Sequence, residues 1–263
     1  MLAALLLLLL PPSQLATSPC DCSLPLGHYS QDSPLLVEAV RTCHLLPPAA
    51  ASLPYNFSQE EPNIRGQTDQ PYIVDLLYNQ TNFPGFFIEA GAWDGEQLTN
   101  TLLLEKLRGW SGLLVEPSRE AFLQLGGKAR KAWSSGTCLS SEARVTEGRL
   151  SNNNMLGGVS PGLEGEGEAV LCLPLYSLLL ALGSPAVHYL SLDMEGVELD
   201  VLRTLPWDKV DIWVISVETN HAHNTVEPHS WTRQQLIDFL EERGYRWLGT
   251  AGGELHCPLL YFS

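Results

Sequence analysis

From about Phe86 to the C-terminus, apolar residues fall into short blocks that are separated by polar stretches. Short unbroken apolar blocks are typical of strands buried on both faces, whereas apolar residues three and four positions apart are typical of helices. The pattern predicts strands at 86–89, 113–116, within 131–138, and at 170–173, 188–193, 211–218, 245–249 and 259–262. It predicts helices at 96–107, 118–125, 176–182, 197–205 and 232–243.

This alternation of strands and helices predicts an α/β domain with a parallel sheet covered on both faces. The last two strands are joined by a short link through Gly252 and Gly253, so we expect them to pair as an antiparallel hairpin. Residues 145–168 are rich in Asn, Gly and Glu. Such a composition predicts a surface excursion or a mobile loop over the site.

The chain before this domain has a different composition. Residues 19–70 are rich in Pro, Ser, Asn and Gln, and only 35–46 form a short amphipathic patch. We interpret 19–70 as an arm with one helix. The sequence of residues 71–78 predicts a helix, which is the first element of a domain at 71–263.

The N-terminus carries an apolar run that ends at Leu10 and is followed by Pro11 and Pro12. The run is shorter than the roughly 20 apolar residues of a spanning helix. It predicts a signal peptide at 1–18 with cleavage between 16 and 22; a buried helix or an incomplete gene model are the alternatives. No later segment is apolar enough to span a bilayer, so we expect a protein of the ER or Golgi lumen, or a secreted one.

Two sequons and an even number of cysteines agree with that compartment. The sequons predict glycosylation at Asn56 and Asn79. Three cysteines lie in the arm and three in the domain: Cys20, Cys22, Cys43, Cys138, Cys172 and Cys257. No CxxC pair suggests zinc, so disulfides are expected. If all six are paired, at least one bridge must join the arm to the domain.

The charge of the chain excludes one class of partner. Thirty acidic and fifteen basic residues give a formal charge of −15. Binding to a phosphate backbone requires a basic surface. Neither nucleic acid nor an anionic membrane surface is therefore an expected partner.

The turn after the first strand, residues 89–95, is the first candidate for chemistry. Gly91 and Gly95 permit a tight turn with close approach of the backbone, while the carboxylates of Glu89 and Asp94 would repel a pyrophosphate. Glu116 ends the next strand, where an acid can bind a ribose diol. S-adenosylmethionine carries an ammonium, a sulfonium and a ribose, and it fits this acidic pattern better than a dinucleotide. A plain packing turn is the alternative.

These segments resemble the FkbM-type S-adenosylmethionine-dependent methyltransferase domain over about 86–262. The resemblance rests on the sequences FIEAGAWDG at 87–95, LVEP at 114–117 and LDMEGVELDVL at 192–202. It implies a Rossmann-like methyltransferase fold with a mostly parallel seven-stranded sheet and the C-terminal antiparallel hairpin. Residues 207–218 look closest to the Star-like branch, whose members are animal secretory-pathway proteins associated with export of growth-factor precursors.

The resemblance also implies roles for individual residues. Those expected to contact the methionine part of the cofactor are Glu89, Gly91, Asp94 and Gly95. Glu116 is expected to hold the ribose, and Ser140, with Cys138 and Leu139, to border the adenine. Asp193 and Glu195 are expected to face the methyl group and the acceptor. FkbM-type enzymes methylate a hydroxyl, so Asp193, or else His221, is the expected catalytic group that orients or deprotonates the acceptor.

Several of these residues have simpler interpretations. Capping the following helix could be the only role of Asp193 and Glu195. His221, His223 and His229 with Glu218 could hold zinc, although an exposed polar loop is favoured and no metal is expected. Trp93 could stack on a ligand or pack as a lid.

Two functions follow from these observations. The first is an O-methyltransferase of the secretory lumen that binds S-adenosylmethionine and acts on a hydroxyl of a glycan or another lumenal acceptor. The retained acids Glu89, Glu116 and Asp193 favour it. The second is a catalytically silent Star-like module that supports ER-to-Golgi or endosomal transport of growth-factor cargo.

Overall fold

The structure is a computed structural model of the 263-residue chain, and it describes residues 22, 26–66, 68–79, 83–151, 158–162, 166–218, 231–250 and 259–262. The strands among these residues are β1 (Phe86–Ala90), β2 (Ser111–Val115), β3 (Trp133–Ser135), β4 (Cys138–Leu139), β5 (Thr146–Leu150), β6 (Val159–Pro161), β7 (Glu168–Leu173), β8 (Val187–Leu192), β9 (Ile212–Val217), β10 (Arg246–Thr250) and β11 (Leu259–Phe262). The helices are α1 (Pro34–Ala39), α2 (Gln70–Leu77), α3 (Leu102–Arg108), α4 (Arg119–Gly127), α5 (Leu175–Ala181), α6 (Glu198–Thr204) and α7 (Arg233–Glu241).

The larger sheet has seven strands in the order β10-β11-β9-β8-β1-β2-β3 within the described residues. The five strands from β9 to β3 run parallel, and β11 runs antiparallel to both β9 and β10. The predicted α/β class, the mostly parallel seven-stranded sheet and the C-terminal antiparallel hairpin are therefore confirmed. Chain order reverses beside β1, which lies between β2 and β8.

Residues 138–173 build a second, four-stranded sheet in the order β4-β7-β5-β6. The prediction of an irregular excursion over 145–168 was wrong for 146–150 and 159–161, which are strands. The sequence there is polar because only Gly148 and Leu150 of β5 are buried, and Val159 and Ser160 of β6 are half-buried. The predicted strand at 170–173 exists as β7, but it belongs to this smaller sheet.

Helices cover both faces of the larger sheet. One face packs on apolar residues of α1, α5, α6 and α7. The other packs on apolar residues of α2, α3 and α4. The predicted helices are confirmed with shifted ends, except that the helix expected from 96 begins only at Leu102. Residues 96–101 are irregular because Leu98 has a positive φ of 55° and because the Asn100 amide donates to the Glu89 carboxylate rather than to a carbonyl of a helical turn.

The arm is part of the core in the described residues. Leu36 and Val40, which are fully buried, pack in the same cluster as residues of α5. Arg41 Nε donates to the carbonyl of Ala181 at the end of α5 (2.9 Å). Farther along the arm, Leu46 pairs with Ser134, so this segment covers the free edge of β3.

None of the described helices combines the length and the apolar character needed to cross a membrane.

Candidate functional site

The candidate site lies where the carboxyl ends of β1, β2 and β8 meet. In an open α/β sheet, ligands bind beyond the carboxyl ends of the strands at the point where chain order reverses. A narrow cleft of about 80 Å³ lies there. Its lining combines the strand-end residues with the smaller sheet: Ala90, Gly91, Trp93, Val115, Glu116, Pro117, Ser118, Cys138, Leu139, Leu150, Val159, Asp193, Met194, Glu195 and Val197.

Gly91 allows the ends of β1 and β8 to approach each other. It has a φ of 86°, and a Cβ atom at this position would clash with the carbonyl oxygen of Asp193. The amide of Asp193 donates to the carbonyl of Ala90 (3.1 Å), which fixes the approach. Only glycine satisfies both the backbone conformation and the contact.

Trp93 follows with a positive φ of 47°, a conformation that a bulky residue rarely adopts. Its half-buried side chain lines the cleft, so both earlier interpretations, stacking on a ligand and packing as a lid, place it at the site. Its amide donates to Glu116 Oε2 (2.8 Å). Strained backbone of this kind clusters at ligand sites.

Glu116 lies at the end of β2 and joins two turns. Oε2 accepts from the amide of Trp93, and Oε1 accepts from the amide of Ser118 (2.8 Å). Burial raises the pKa of Glu116 to about 7 despite these two bonds, and the charge of Asp193 adds to the rise. Each oxygen retains a second lone pair for a ligand.

Asp193, at the end of β8, is hydrogen-bonded to Glu218, at the end of β9. Burial, followed by this bond and the charge of Glu218, raises the pKa of Asp193 well above its usual range. Burial also raises the pKa of Glu218. Two carboxyl groups can share a hydrogen bond only when one is protonated, so the pair holds a proton between them.

Glu195 and Glu198 extend this acidic group. Glu195 lines the cleft and has a φ of 59°, again unusual outside glycine. Glu198 is fully buried and accepts from the amides of Met194 (2.9 Å) and Gly196 (3.1 Å). Burial raises the pKa of Glu198 to about 8. Glu198 therefore closes the turn that precedes α6, and no side-chain hydrogen bond is made at the N-cap residue of this helix, Val197.

Glu89 does not line the cleft. Its carboxylate accepts from Thr99 Oγ1 (2.8 Å), the Asn100 amide (2.6 Å) and Thr101 Oγ1 (2.5 Å). Burial raises its pKa, while the charge of Arg130 and these bonds oppose the rise. In the structure Glu89 thus anchors the irregular segment between the turn and α3.

Asp94 and Gly95 also lie outside the cleft lining. Asp94 Oδ1 accepts from the amides of Glu96 (2.9 Å) and Gln97 (2.8 Å), which closes the turn. The carbonyl of Gly95 accepts from Arg130 Nη1 (2.5 Å). Of the four residues expected at the methionine part of a cofactor, the structure brings Gly91 alone to the cleft.

The expected adenine border is present in part. Cys138 and Leu139 line the cleft, but Ser140 does not; its hydroxyl is 3.0 Å from that of Thr146. Leu150 and Val159 of the smaller sheet complete this wall. The sequence pattern did not indicate these two residues because they lie in the polar stretch interpreted as a loop.

Some predicted residues cannot be placed. His221, His223 and His229 lie outside the described residues, as do Cys20 and Cys257. Within the described ranges, no group of His, Cys, Asp and Glu could hold a metal ion. Asn56 and Asn79 are both exposed, and Asn56 Nδ2 donates to the carbonyl of Gly127 (2.9 Å).

Two disulfide bonds occur among the described residues. Cys22 pairs with Cys43 inside the arm, and Cys138 pairs with Cys172 inside the domain. The prediction of disulfides is confirmed, and such bonds are typical of an oxidising compartment. The expected bridge between arm and domain would have to involve Cys20 and Cys257, outside the described residues.

A larger cavity of about 740 Å³ lies beside the cleft, between the arm and the smaller sheet. Three residues, Leu139, Val159 and Val197, line both. Cys172 lines the larger cavity, whereas Cys138 lines the cleft.

The chain was compared with known families and structures. The family model described as methyltransferase FkbM domain matches residues 89–247. Comparison with curated proteins gave no match. Among the matching solved structures, the methyltransferase domain of METTL16 has a TM-score of 0.46 at 12% identity, covering 86% of this chain and 80% of that chain. A SAM-dependent methyltransferase from Aquifex aeolicus has a TM-score of 0.40 at 13% identity, with 77% and 93% covered.

Proposed function

This chain belongs to the FkbM methyltransferase family, and from that premise we propose that it binds S-adenosylmethionine and methylates a hydroxyl of a glycan or another lumenal acceptor. The observation that carries the proposal is the meeting of Gly91, Glu116 and Asp193 at one cleft where the chain order reverses.

The donor set of the cleft fits this cofactor. Glu116 offers free lone pairs to the hydroxyls of a ribose, and Gly91 lets the ends of β1 and β8 approach each other at the cleft. Glu195 suits the ammonium group, while Leu139, Leu150 and Val159 supply an apolar wall for a purine. We propose that Glu89, Asp94, Gly95 and Ser140 act by holding these residues in place.

The bound cofactor would supply an electrophilic methyl group. The acceptor hydroxyl must lose a proton as its oxygen is alkylated. Asp193 and Glu218 share one proton, and the carboxylate oxygen that stays ionised can accept a second; burial raises the pKa of Glu218, which favours this transfer. We propose this pair as the group that orients the acceptor and takes its proton. His221, outside the described residues, stays a second candidate for the same role.

The compartment is part of the proposal. The two disulfides favour a lumenal or secreted protein, and exposed Asn56 and Asn79 are available for glycosylation. A signal peptide at 1–18 would deliver the chain there.

A second function, a Star-like module that supports transport of growth-factor cargo without turnover, is favoured by one observation. The cleft encloses about 80 Å³, against ~300–1,000 Å³ for typical small-molecule sites. A cofactor could enter only if the smaller sheet moved outward, and a cleft that stays closed would fit a silent module.

Calorimetric titration of the secreted, disulfide-bonded chain with S-adenosylmethionine and with S-adenosylhomocysteine separates the two. Binding of both, followed by transfer of a labelled methyl group to a glycan or protein fraction, supports the enzyme. Binding without transfer supports the module, and no binding of either compound overturns the enzyme.

Glu218→Gln locates the proton acceptor. Glu218 does not line the cleft, so we expect cofactor affinity to stay near that of the wild type while transfer falls by about 10²–10⁴. Unchanged transfer in this variant would exclude the carboxyl pair from the chemistry.

A further inference from the structure

The Cys138–Cys172 disulfide lies in a small core that forms one wall of the cofactor cleft. This satellite core consists of four buried residues, Cys138, Leu150, Val170 and Cys172, with Val159 packed against it. Three of the five, Cys138, Leu150 and Val159, also line the cleft. Any change in how this core packs therefore changes the wall that a ligand contacts.

The backbone hydrogen bonds that hold β4 to the smaller sheet are few. β4 is two residues long and pairs with β7 only through Cys138 with Cys172 and Leu139 with Leu173. The amide of Ser140 adds one bond to the carbonyl of Leu173 (2.9 Å). A core of four buried side chains also contributes little hydrophobic free energy. The disulfide is thus the strongest link between the segment after β3 and the smaller sheet.

The position of the bridge ties it to both cavities. Cys138 lines the cleft and Cys172 lines the larger cavity of about 740 Å³ on the other side of the wall. Both cysteines are buried, 6% and 5% exposed. The bridge joins two cysteines with a sequence separation of 34, and β5 and β6 lie between them.

We propose that the Cys138–Cys172 bridge is a positioning element of the cofactor site, which binds S-adenosylmethionine well only when the bridge is formed. This inference rests on the proposed function. A dithiol that reduces the bridge breaks the S–S bond and leaves two thiols while the dithiol is oxidised; Leu150 and Val159, which pack in the satellite core, then lose their fixed positions. The newly made, reduced chain would bind the cofactor poorly, and binding would begin in the oxidising compartment.

The second disulfide supplies a matched control. The Cys22–Cys43 bond also cross-links a short segment, with a sequence separation of 21. Neither of its cysteines lines the cleft or belongs to the satellite core. Loss of this bridge should lower stability without acting on the cofactor wall.

The test is calorimetric titration of S-adenosylhomocysteine into the full, secreted chain and two double variants. We expect C138A/C172A to bind about tenfold more weakly, because part of the binding free energy must then be used to order the loosened wall. We expect C22A/C43A to bind within about a factor of two of the wild type. Equal affinity for C138A/C172A and the wild type overturns the inference, and so does an equal loss in both variants.

A readout without ligand separates this inference from the proposed function. In hydrogen exchange of the free protein, peptides covering β5 and β7 should exchange faster in C138A/C172A than in the wild type and C22A/C43A. If the wild type binds no cofactor, the proposed function fails; unchanged exchange shows that the bridge does not order the wall. If C138A/C172A does not fold, C22A/C43A treated with dithiothreitol replaces it, with alkylation and mass spectrometry to identify the reduced bridge.

Discussion

The carboxyl group of Asp193, at the end of β8, is hydrogen-bonded to that of Glu218, at the end of the neighbouring strand β9. The amide of Glu218 donates to the carbonyl of Leu192 (2.9 Å), so the two strand ends are also joined through the backbone. Besides burial, the charges of Glu195 and Glu198 raise the pKa of Glu218, and the charge of Asp193 raises the pKa values of Glu116 and Glu198. The site is therefore an acidic pocket that retains protons at neutral pH, and a cationic ligand would release them.

Stability of the free protein should fall as the pH rises from about 7 to about 8.5. Burial raises the pKa of Glu116 to about 7 and that of Glu198 to about 8. The unfolded chain releases these protons near pH ~4.3, so each group contributes stability below that value and loses it as the pH passes its folded pKa. His44 and His188, whose pKa values burial lowers, act in the opposite sense but only below about pH 6.5.

Thermal unfolding across this range checks the prediction, with Glu198→Gln as the informative variant. Removing the titrating group should flatten the profile by up to about 1.4 kcal/mol per pH unit. Glu242→Gln, at an exposed position, should leave the slope unchanged. Parallel profiles for the wild type and Glu198→Gln would contradict the assignment.

Glu116→Gln should abolish measurable cofactor binding while the protein stays folded. A substitution by alanine would have a second effect, because Glu116→Ala leaves the amides of Trp93 and Ser118 without acceptors. Each buried amide left unpaired costs about 1–3 kcal/mol, so Glu116→Ala is expected to lose stability. The Gln side chain keeps one acceptor and limits this loss to about 1–3 kcal/mol. Calorimetry and denaturant unfolding of both variants separate the two effects, and normal binding by Glu116→Gln would exclude Glu116 from the cofactor site.

The larger sheet could be predicted from the sequence because its strands are buried on both faces. Runs such as those of β1 and β8 are almost entirely apolar, and helices of amphipathic pattern separate them. The strand ends then located Gly91, Glu116 and Asp193, since parallel strands bring their carboxyl ends to one edge of the sheet.

The wall contributed by the smaller sheet could not be predicted in this way. β5 has only two buried residues in a short polar sequence, and one of them, Gly148, carries no apolar signal. The pairing of Cys138 with Cys172, which organises the region, is one of the many connectivities that six cysteines allow. For Glu89 the sequence indicated a role in ligand binding that the structure does not place at the cleft. The carboxylate oxygens of Glu89 accept hydrogen bonds from Thr99, Asn100 and Thr101.

Glu89→Gln should destabilise the protein by about 1–3 kcal/mol, because an amide cannot accept all the bonds that the carboxylate accepts. The charge of Arg130, which favours the ionised carboxyl, also loses its counterpart. Denaturant unfolding measures the loss, with Glu120→Gln at an exposed position of α4 as the control that should change little. Loss of cofactor affinity in Glu89→Gln at full stability would instead indicate that Glu89 contacts the ligand directly.

Gly91→Ala should prevent stable folding or cost about 3–5 kcal/mol, the sum of left-handed backbone strain and an overpacked contact. The added Cβ would meet the carbonyl oxygen of Asp193, and that oxygen cannot retreat without breaking the pairing between β1 and β8. Gly109→Ala is the matched control, because Gly109 has a φ of 69° and no heavy atom within 4 Å of the added Cβ. It should show the backbone strain alone, about 1–2 kcal/mol. Denaturant unfolding of both variants measures the difference in the free energy of unfolding. Equal losses of stability would mean that the ends of β1 and β8 can separate at Gly91 and make room for a side chain.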